Sequence, residues 1–565
     1  MSIRRLLSGR SLAWGGLFGL ALTCVAVQGH AADFPTNPKA LTKPEPATSD
    51  TYFDAIGTKD GFVLAWNRGS SSTFQTTILI QRFNADGSPI GKPASAEGPA
   101  FLEGLPQLVD LGGGKIGVVW KGPGASGPSI KGAVYDTGSG KVGASAPLLA
   151  SGGASFMHDV ARMKNGKVAM VTRQSPTFGV ENTMLVIADA SMKASGAPRL
   201  VESDKPAPFG AATFEQTVVA FGAGGVAVYR ANDDQLKGVA FDGAGKLDKP
   251  FKINTTTMPA LDLFGYARFT VKAAPLTGGG YVVTWPIYDP GQALNWNVHA
   301  RVYDKAGNPV GKDFIVHRDT AGDQSQPEIA AFDKGFGIGW HNVATVGAVA
   351  TQRIRFFDLE GKPLSDDLVT ERFGLDGPSG ILVPGLDSEI TQLPNGDFVK
   401  FFAVGGALLG DRIPVPALGS RKKDDIAGKP SAEMVLAGAG ADKATGGAGD
   451  DTIDGGDDDD AIDGGPGADE IVAGAGDDTL TGGRGPDVFV FGPRGGKDTV
   501  LDFESSDRID VSAFHYNRKD DVLAAAAQSG KDLVITLVDQ KGGGSAVVRL
   551  KKYKREDFSA ANVIQ

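Results

Sequence analysis

A single cysteine, Cys24, occurs in 565 residues. It lies inside the leading apolar stretch, where Ala21-Leu-Thr-Cys24 does not read as a lipoprotein box. The rest of the chain therefore builds no disulfide and runs no thiol chemistry. Histidine is scarce as well, at six residues. His158, His299, His317 and His341 show no metal-ligand spacing and read as ordinary surface or hydrogen-bonded side chains. No Ser/His/Asp or paired-carboxylate set can be assembled from them. Positive charge is not in excess: 56 Lys and Arg face 66 Asp and Glu, a net of −10. With no basic stripe either, nucleic-acid binding is excluded. Long apolar runs are limited to Ser11–Val27. Arg4, Arg5 and Arg10 precede or open that run, and Gly29-His-Ala-Ala32 places small residues before Asp33. Residues 1–32 are thus expected to be an export signal, leaving a secreted or cell-surface chain without a membrane span. An uncleaved anchor is the alternative, because the run is long for a signal core.

Glycine, by contrast, is abundant at 80 residues, and part of it is periodic. From Ala437 to Val490 the chain repeats every nine residues, six times: AGAGADKAT, GGAGDDTID, GGDDDDAID, GGPGADEIV, AGAGDDTLT and GGRGPDVFV. The sixth position is always Asp: Asp442, Asp451, Asp460, Asp469, Asp478 and Asp487. The eighth is always apolar: Ala444, Ile453, Ile462, Ile471, Leu480 and Phe489. Glycines at the first, second and fourth positions permit positive φ and a tight bend. A short strand with one inward side chain completes each unit. Two units then make one turn of a parallel β-helix, stacking Asp residues eighteen apart on one edge. Carboxylates and turn carbonyls suit a hard cation such as Ca²⁺, which takes six to eight oxygens. Thirteen Asp and one Glu in this stretch face one Lys and one Arg, a net of −12. Such a cluster is expected to fold only with the metal.

These units resemble the hemolysin-type calcium-binding (RTX) repeats, GGxGxDxUx, of secreted bacterial proteins. The resemblance implies calcium between units two apart, pairing Asp442 with Asp460, Asp451 with Asp469, Asp460 with Asp478, and Asp469 with Asp487. Asp458 replaces a fourth-position glycine, which Asp tolerates because it visits the left-handed region. Beyond the repeats, Gly496-Lys-Asp-Thr-Val-Leu-Asp-Phe503 and Asp507-Arg-Ile-Asp-Val-Ser512 resemble the cap of serralysin-type C-terminal modules. Residues 491–565 are expected to form that β cap, with strands at Leu533–Leu537 and Ala546–Leu550. The His-Glu-x-x-His motif of the protease half is absent.

Upstream, a longer repeat of roughly 55 residues spans 47–413. An apolar run recurs as GFVLAW (Gly61–Trp66), KIGVVW, KVAMVT, GVAVYR, GYVVTW, FGIGW and DFVKFF (Asp397–Phe402). A second strand follows each, and five of these enter a tight turn such as Asp304-Lys-Ala-Gly307. Seven such units fit an all-β, seven-bladed propeller; tandem sandwiches are the alternative. Taking the recurring run as each unit's first strand, few carboxylates face the axis. Trp66, Trp120, Trp285, Trp340 and Tyr229, at one phase of the repeat, read as inter-blade core in preference to a sugar-stacking platform. The Asp-x-x-Gly turns lack the alternating ligands of EF-type loops and read as hairpin turns. Residues 414–430 read as a linker to a calcium-binding roll at 431–490, the charge run Arg421–Asp425 simply solvated.

The expectation is a secreted calcium-binding protein whose propeller presents an adhesion surface to a glycan or cell-surface partner. A propeller-channel hydrolase and a surface-layer component are the alternatives.

Overall fold

The computed structural model describes residues 39–565 apart from breaks, the longest being 204–215, 259–269, 289–295 and 374–387. The expected signal, residues 1–32, lies outside the described residues. Among those described, no helix is long and apolar enough to cross a membrane.

The N-terminal part is a ring of seven antiparallel sheets. Blade 1 comprises Thr48–Thr58, Gly61–Ser70, Gln75–Asn84 and Pro89–Ser95, paired in that order. Blades 2 to 7 follow at 104–149, 154–203, 216–252, 272–315, 323–373 and 388–413. The first strand of each blade abuts the first strands of both neighbours, and blade 7 abuts blade 1. Closure covers the blade faces that an open array would leave exposed at its two ends and keeps the sheet edges short.

Two features of this ring differ from the sequence reading. The recurring apolar run is the second strand of each blade, not the first. It is buried on both faces: Phe62, Val63, Leu64, Ala65 and Trp66 are all at most 1% exposed. The innermost strand precedes it and is hard to see in sequence because one of its faces is polar. Asp50, Asp54, His158, Gln216, Asp323 and Gln324 are buried there. The propeller also begins earlier than residue 47. Lys39–Ala40 pairs antiparallel with Ala407–Ile413 and completes blade 7 with a strand from the opposite end of the chain. Thr42 strengthens the join, its hydroxyl accepting from Leu408 N–H at 3.0 Å. Two residues ahead of Pro44 and Pro46 carry no periodicity that could reveal this.

The C-terminal part is a parallel β-solenoid of about five turns, made of two sheets facing each other. One sheet stacks Ile426, Ala444, Ile462, Leu480, Val500 and Leu550 in register. The other stacks Val435, Ile453, Ile471, Phe489, Ile509 and Val563. All twelve are buried in one apolar core. Each eighth-position side chain therefore reaches the same core from alternate sides of a flattened coil. Beyond the repeats, Asp532–Val538 and Ser545–Leu550 extend one sheet, and helix Lys519–Ala524 packs at its edge.

The segment read as a linker, 414–430, supplies the first turn of this solenoid. Ala417–Leu418 pairs with Val435–Leu436, and Asp425–Ala427 pairs with Lys443–Thr445. The nine-residue frame in fact runs back through Gly428–Leu436 and Gly419–Ala427, with Glu433 and Asp424 at the acidic position. The charge run is thus part of the coil.

Candidate metal centre

Every repeat Asp uses its carboxylate to tie its own turn to the turn before it. Asp442 N–H donates to Asp460 Oδ1 at 2.8 Å, Asp451 to Asp469 at 2.9 Å, Asp460 to Asp478 at 2.9 Å and Asp469 to Asp487 at 3.0 Å. These are the four pairs implied by the RTX resemblance, brought together through a backbone donor. The ladder extends in both directions. Asp424 N–H reaches Asp442 Oδ1 and Glu433 N–H reaches Asp451 Oδ1. At the other end Asp478 N–H reaches Asp498 Oδ1, and Asp487 N–H reaches Asp507 Oδ1.

The second carboxylate oxygen is left over. Oδ2 of Asp442, Asp451, Asp460, Asp469, Asp478 and Asp487 is buried and accepts no hydrogen bond, although each residue is at most 3% exposed. An ionised oxygen without a partner in a low-dielectric interior is costly. Protonation is the response in the absence of a cation. Burial, aided by neighbouring carboxylates, pushes Asp460 up to about 8, Asp469 to about 7 and Asp487 to about 6. Asp478 also rises to about 6, and Asp442 and Asp451 move upward for the same reason.

Glycine keeps the space around these oxygens open. A methyl group built on Gly446 would lie 2.6 Å from Asp451 Oδ2 and 2.7 Å from the Gly464 carbonyl oxygen. Gly455 faces Asp460 Oδ2 and the Ala473 carbonyl, and Gly464 faces Asp469 Oδ2 and the Gly482 carbonyl. First-position glycines thus leave room beside the carboxylate and are not demanded by φ; the second-position ones, such as Gly465 at φ +102°, meet the backbone requirement. Asp458 adopts φ +80° in place of a glycine, as expected.

Among the described residues, no three carboxylate or imidazole side chains converge. A cation held here draws on one or two carboxylates and on backbone carbonyls, an all-oxygen donor set that fits Ca²⁺ and not a thiol- or imidazole-seeking metal. Asp424, Glu433 and Asp498 were missed in sequence. The first two are legible once the frame is run backwards; Asp498 is shifted by two extra residues in its turn.

The propeller residues singled out in sequence are structural. Trp66, Trp120, Trp285, Trp340 and Tyr229 are at most 1% exposed. Trp120 donates to Glu97 from the preceding blade at 3.1 Å, and Tyr229 to Glu202 at 2.6 Å. The turn aspartates accept from their own hairpins, as when Asp304 Oδ1 receives Ala306 and Asn308 N–H at 2.8 Å. The four histidines are buried and not on the surface. Burial pushes His158 and His299 down to about 4 and His341 to about 3, leaving neutral rings.

Residues 436–471 and 455–489 match the family model of the RTX calcium-binding nonapeptide repeat. No curated protein matches the chain. Among solved structures, a protein of unknown function from Dyadobacter fermentans is 13% identical over 57% of this chain and 98% of its own, with a TM-score of 0.36. The AlgE6R3 subunit of the Azotobacter vinelandii mannuronan C5-epimerase is 29% identical over 27% and 82%, with a TM-score of 0.20. A fungal lectin with a six-bladed propeller, from Aleuria aurantia, is 12% identical over 59% and 98%, with a TM-score of 0.33. Motif, coil and family model agree: residues 436–489 are RTX calcium-binding nonapeptide repeats, set in a β-solenoid behind a seven-bladed propeller.

Proposed function

We propose that Asp442, Asp451, Asp460, Asp469, Asp478 and Asp487 hold Ca²⁺ along the two edges of the solenoid, and that this binding folds it. The row of buried, unpartnered Oδ2 atoms over glycine-cleared space carries the reading. Bound calcium supplies the positive charge that lets those oxygens stay ionised inside the coil. The residues supply the rest: Oδ1 fixes the spacing of successive turns, Oδ2 and the turn carbonyls face the ion, and the eighth-position side chains lock the strands once the turns close.

The same proposal places the protein outside the cytoplasm, on the strength of residues 1–32 and the family of its repeats. Extracellular calcium modules bind with constants of about 10⁻⁴–10⁻³ M, so occupancy follows export into a calcium-rich medium. The propeller is proposed as a binding surface for a glycan or cell-surface partner. Three of its innermost-strand carboxylates favour that reading over hydrolysis because they are tied into the fold. Asp54 Oδ2 accepts Leu108 N–H at 2.5 Å, Asp159 Oδ2 accepts Val218 N–H at 2.9 Å, and Asp50 is paired in fork geometry with Arg68.

Calcium titration of the full chain from chelator, followed by far-ultraviolet circular dichroism, tests the central claim. β-signal should grow with a midpoint of about 10⁻⁴–10⁻³ M, and Asp460→Asn should move the midpoint upward. A spectrum indifferent to calcium overturns the claim.

A further inference from the structure

We infer that the junction between solenoid and cap holds an additional calcium site built on Asp498, a residue beyond the matched repeats. This rests on the calcium reading of the solenoid and extends it to a turn of different sequence. The strand Gly496–Val500 continues the coil, pairing parallel with Thr479–Leu480 and, on its other side, with Ser545–Leu550 of the cap. The turn entering it, Gly492-Pro-Arg-Gly-Gly-Lys-Asp498, carries two more residues than a nonapeptide turn, so the ladder steps by 20 instead of 18.

Despite the insertion, Asp498 reproduces the arrangement of the repeats. Oδ1 accepts Asp478 N–H at 3.2 Å. Oδ2 is buried and unpartnered, and the residue is 1% exposed. Glycine again clears the space. A methyl group built on Gly495 would lie 3.0 Å from the Gly492 carbonyl oxygen, 3.3 Å from Asp498 Oδ2 and 3.5 Å from the Gly474 carbonyl oxygen. Three oxygens from two successive turns thus surround one point, the donor type that calcium takes. Across the coil the next acidic residue is different. Asp507 Oδ1 accepts Asp487 N–H at 3.1 Å, and its Oδ2 accepts Glu504 N–H at 2.7 Å, so neither oxygen is left unpartnered to call for an ion. Asp502 is likewise consumed, receiving Gly482 and Gly483 N–H at 2.9 Å each. The series of free oxygens therefore ends at Asp498 on one edge and Asp487 on the other. An ion at Asp498 joins the last repeat turn to the first turn of the cap.

The test is the number of calcium ions bound per full-length chain, by equilibrium dialysis against calcium chloride with metal analysis. Asp498→Asn keeps the shape and the Oδ1 acceptor and should bind one ion fewer than the parent. Gly495→Ala, which leaves the carboxylate but fills the space, should lose the same ion. Asp507→Asn should bind the parental number, and Asp460→Asn should lose an ion from the solenoid. Parental counts in Asp498→Asn and Gly495→Ala, with a loss in Asp460→Asn, overturn the junction site and leave the solenoid reading standing. Parental counts in all four overturn the solenoid reading and the junction site with it.

Discussion

Two glycines that stand side by side in four of the six repeats serve different ends, and substitution separates them. Gly465 lies at φ +102°, where an L-residue is strained by about 1–2 kcal/mol. Its added methyl would also strike the Gly447 carbonyl of the turn below. Gly464 is not in the left-handed region; its methyl would meet Asp469 Oδ2 at 2.5 Å instead. The coil already accepts alanine at this first position, since Ala437 and Ala473 sit there fully buried. Gly465→Ala should therefore lower stability both in chelator and in calcium. Gly464→Ala should leave the fold in place and weaken calcium at Asp469 by roughly tenfold, about 1.4 kcal/mol. Paired thermal melts with and without calcium distinguish the two. Equal behaviour of both variants in calcium and in chelator would show that first-position glycine has nothing to do with the ion.

The solenoid itself should respond to pH in opposite directions with and without metal. In chelator, the buried carboxylates have folded-state values raised to about 6–8 at Asp460, Asp469, Asp478 and Asp487. An unfolded Asp titrates near 3.9. A group raised on folding stabilises the folded form fully at low pH and loses that contribution as pH rises through its folded value. The metal-free coil is thus expected to be most ordered below about pH 4 and to lose order progressively towards pH 8. Calcium requires the ionised form, so its binding releases protons and tightens over the same interval. Circular dichroism across pH 4–8, in chelator and in saturating calcium, checks both slopes; parallel slopes would contradict the assignment of these carboxylates to the ion. The same elements show what sequence reveals and conceals. The nonapeptide period gave away the coil because Gly, Asp and the inward apolar residue are each fixed by contact with an identical turn. Gly419–Leu436 belongs to the same coil yet read as a linker, since serine and lysine (Ser420, Lys422, Lys429 and Ser431) fill the second and fourth positions where glycine is usual, and only the first-position glycine, the acidic residue and the apolar residue persist. The inner propeller strands were obscured for the opposite reason: their polar side chains, such as Asp54 and Asp159, bond to the neighbouring blade, and no apolar run marks them.

Propeller and solenoid are not independent bodies strung on a chain. Met434 and Leu436, from the first full turn of the coil, are buried in one cluster with Phe332, Phe356, Ile390 and Phe398 of blades 6 and 7. Leu418 packs against the same cluster, and its carbonyl accepts from Lys334 Nζ at 3.4 Å. A solenoid needs its end covered, and here the propeller covers it. Calcium bound some distance away should therefore stabilise blades 6 and 7 through this contact, because whatever binds only the folded coil stabilises everything that folds with it. Tryptophan placement makes the effect measurable. The six tryptophans are residues 14, 66, 120, 285, 296 and 340, so none lies in the solenoid or cap. Five of them lie in propeller strands and Trp14 in the expected signal, so intrinsic emission carries no contribution from the solenoid. Calcium should raise the thermal midpoint read by that emission in the full chain. Met434→Ala, which removes a fully buried side chain at a cost of about 2–5 kcal/mol, should shrink or abolish the rise while the circular-dichroism response of the coil to calcium persists at higher concentration. A tryptophan midpoint unmoved by calcium in the parent chain would mean that the cluster transmits no stability, and that the two parts respond to the ion separately.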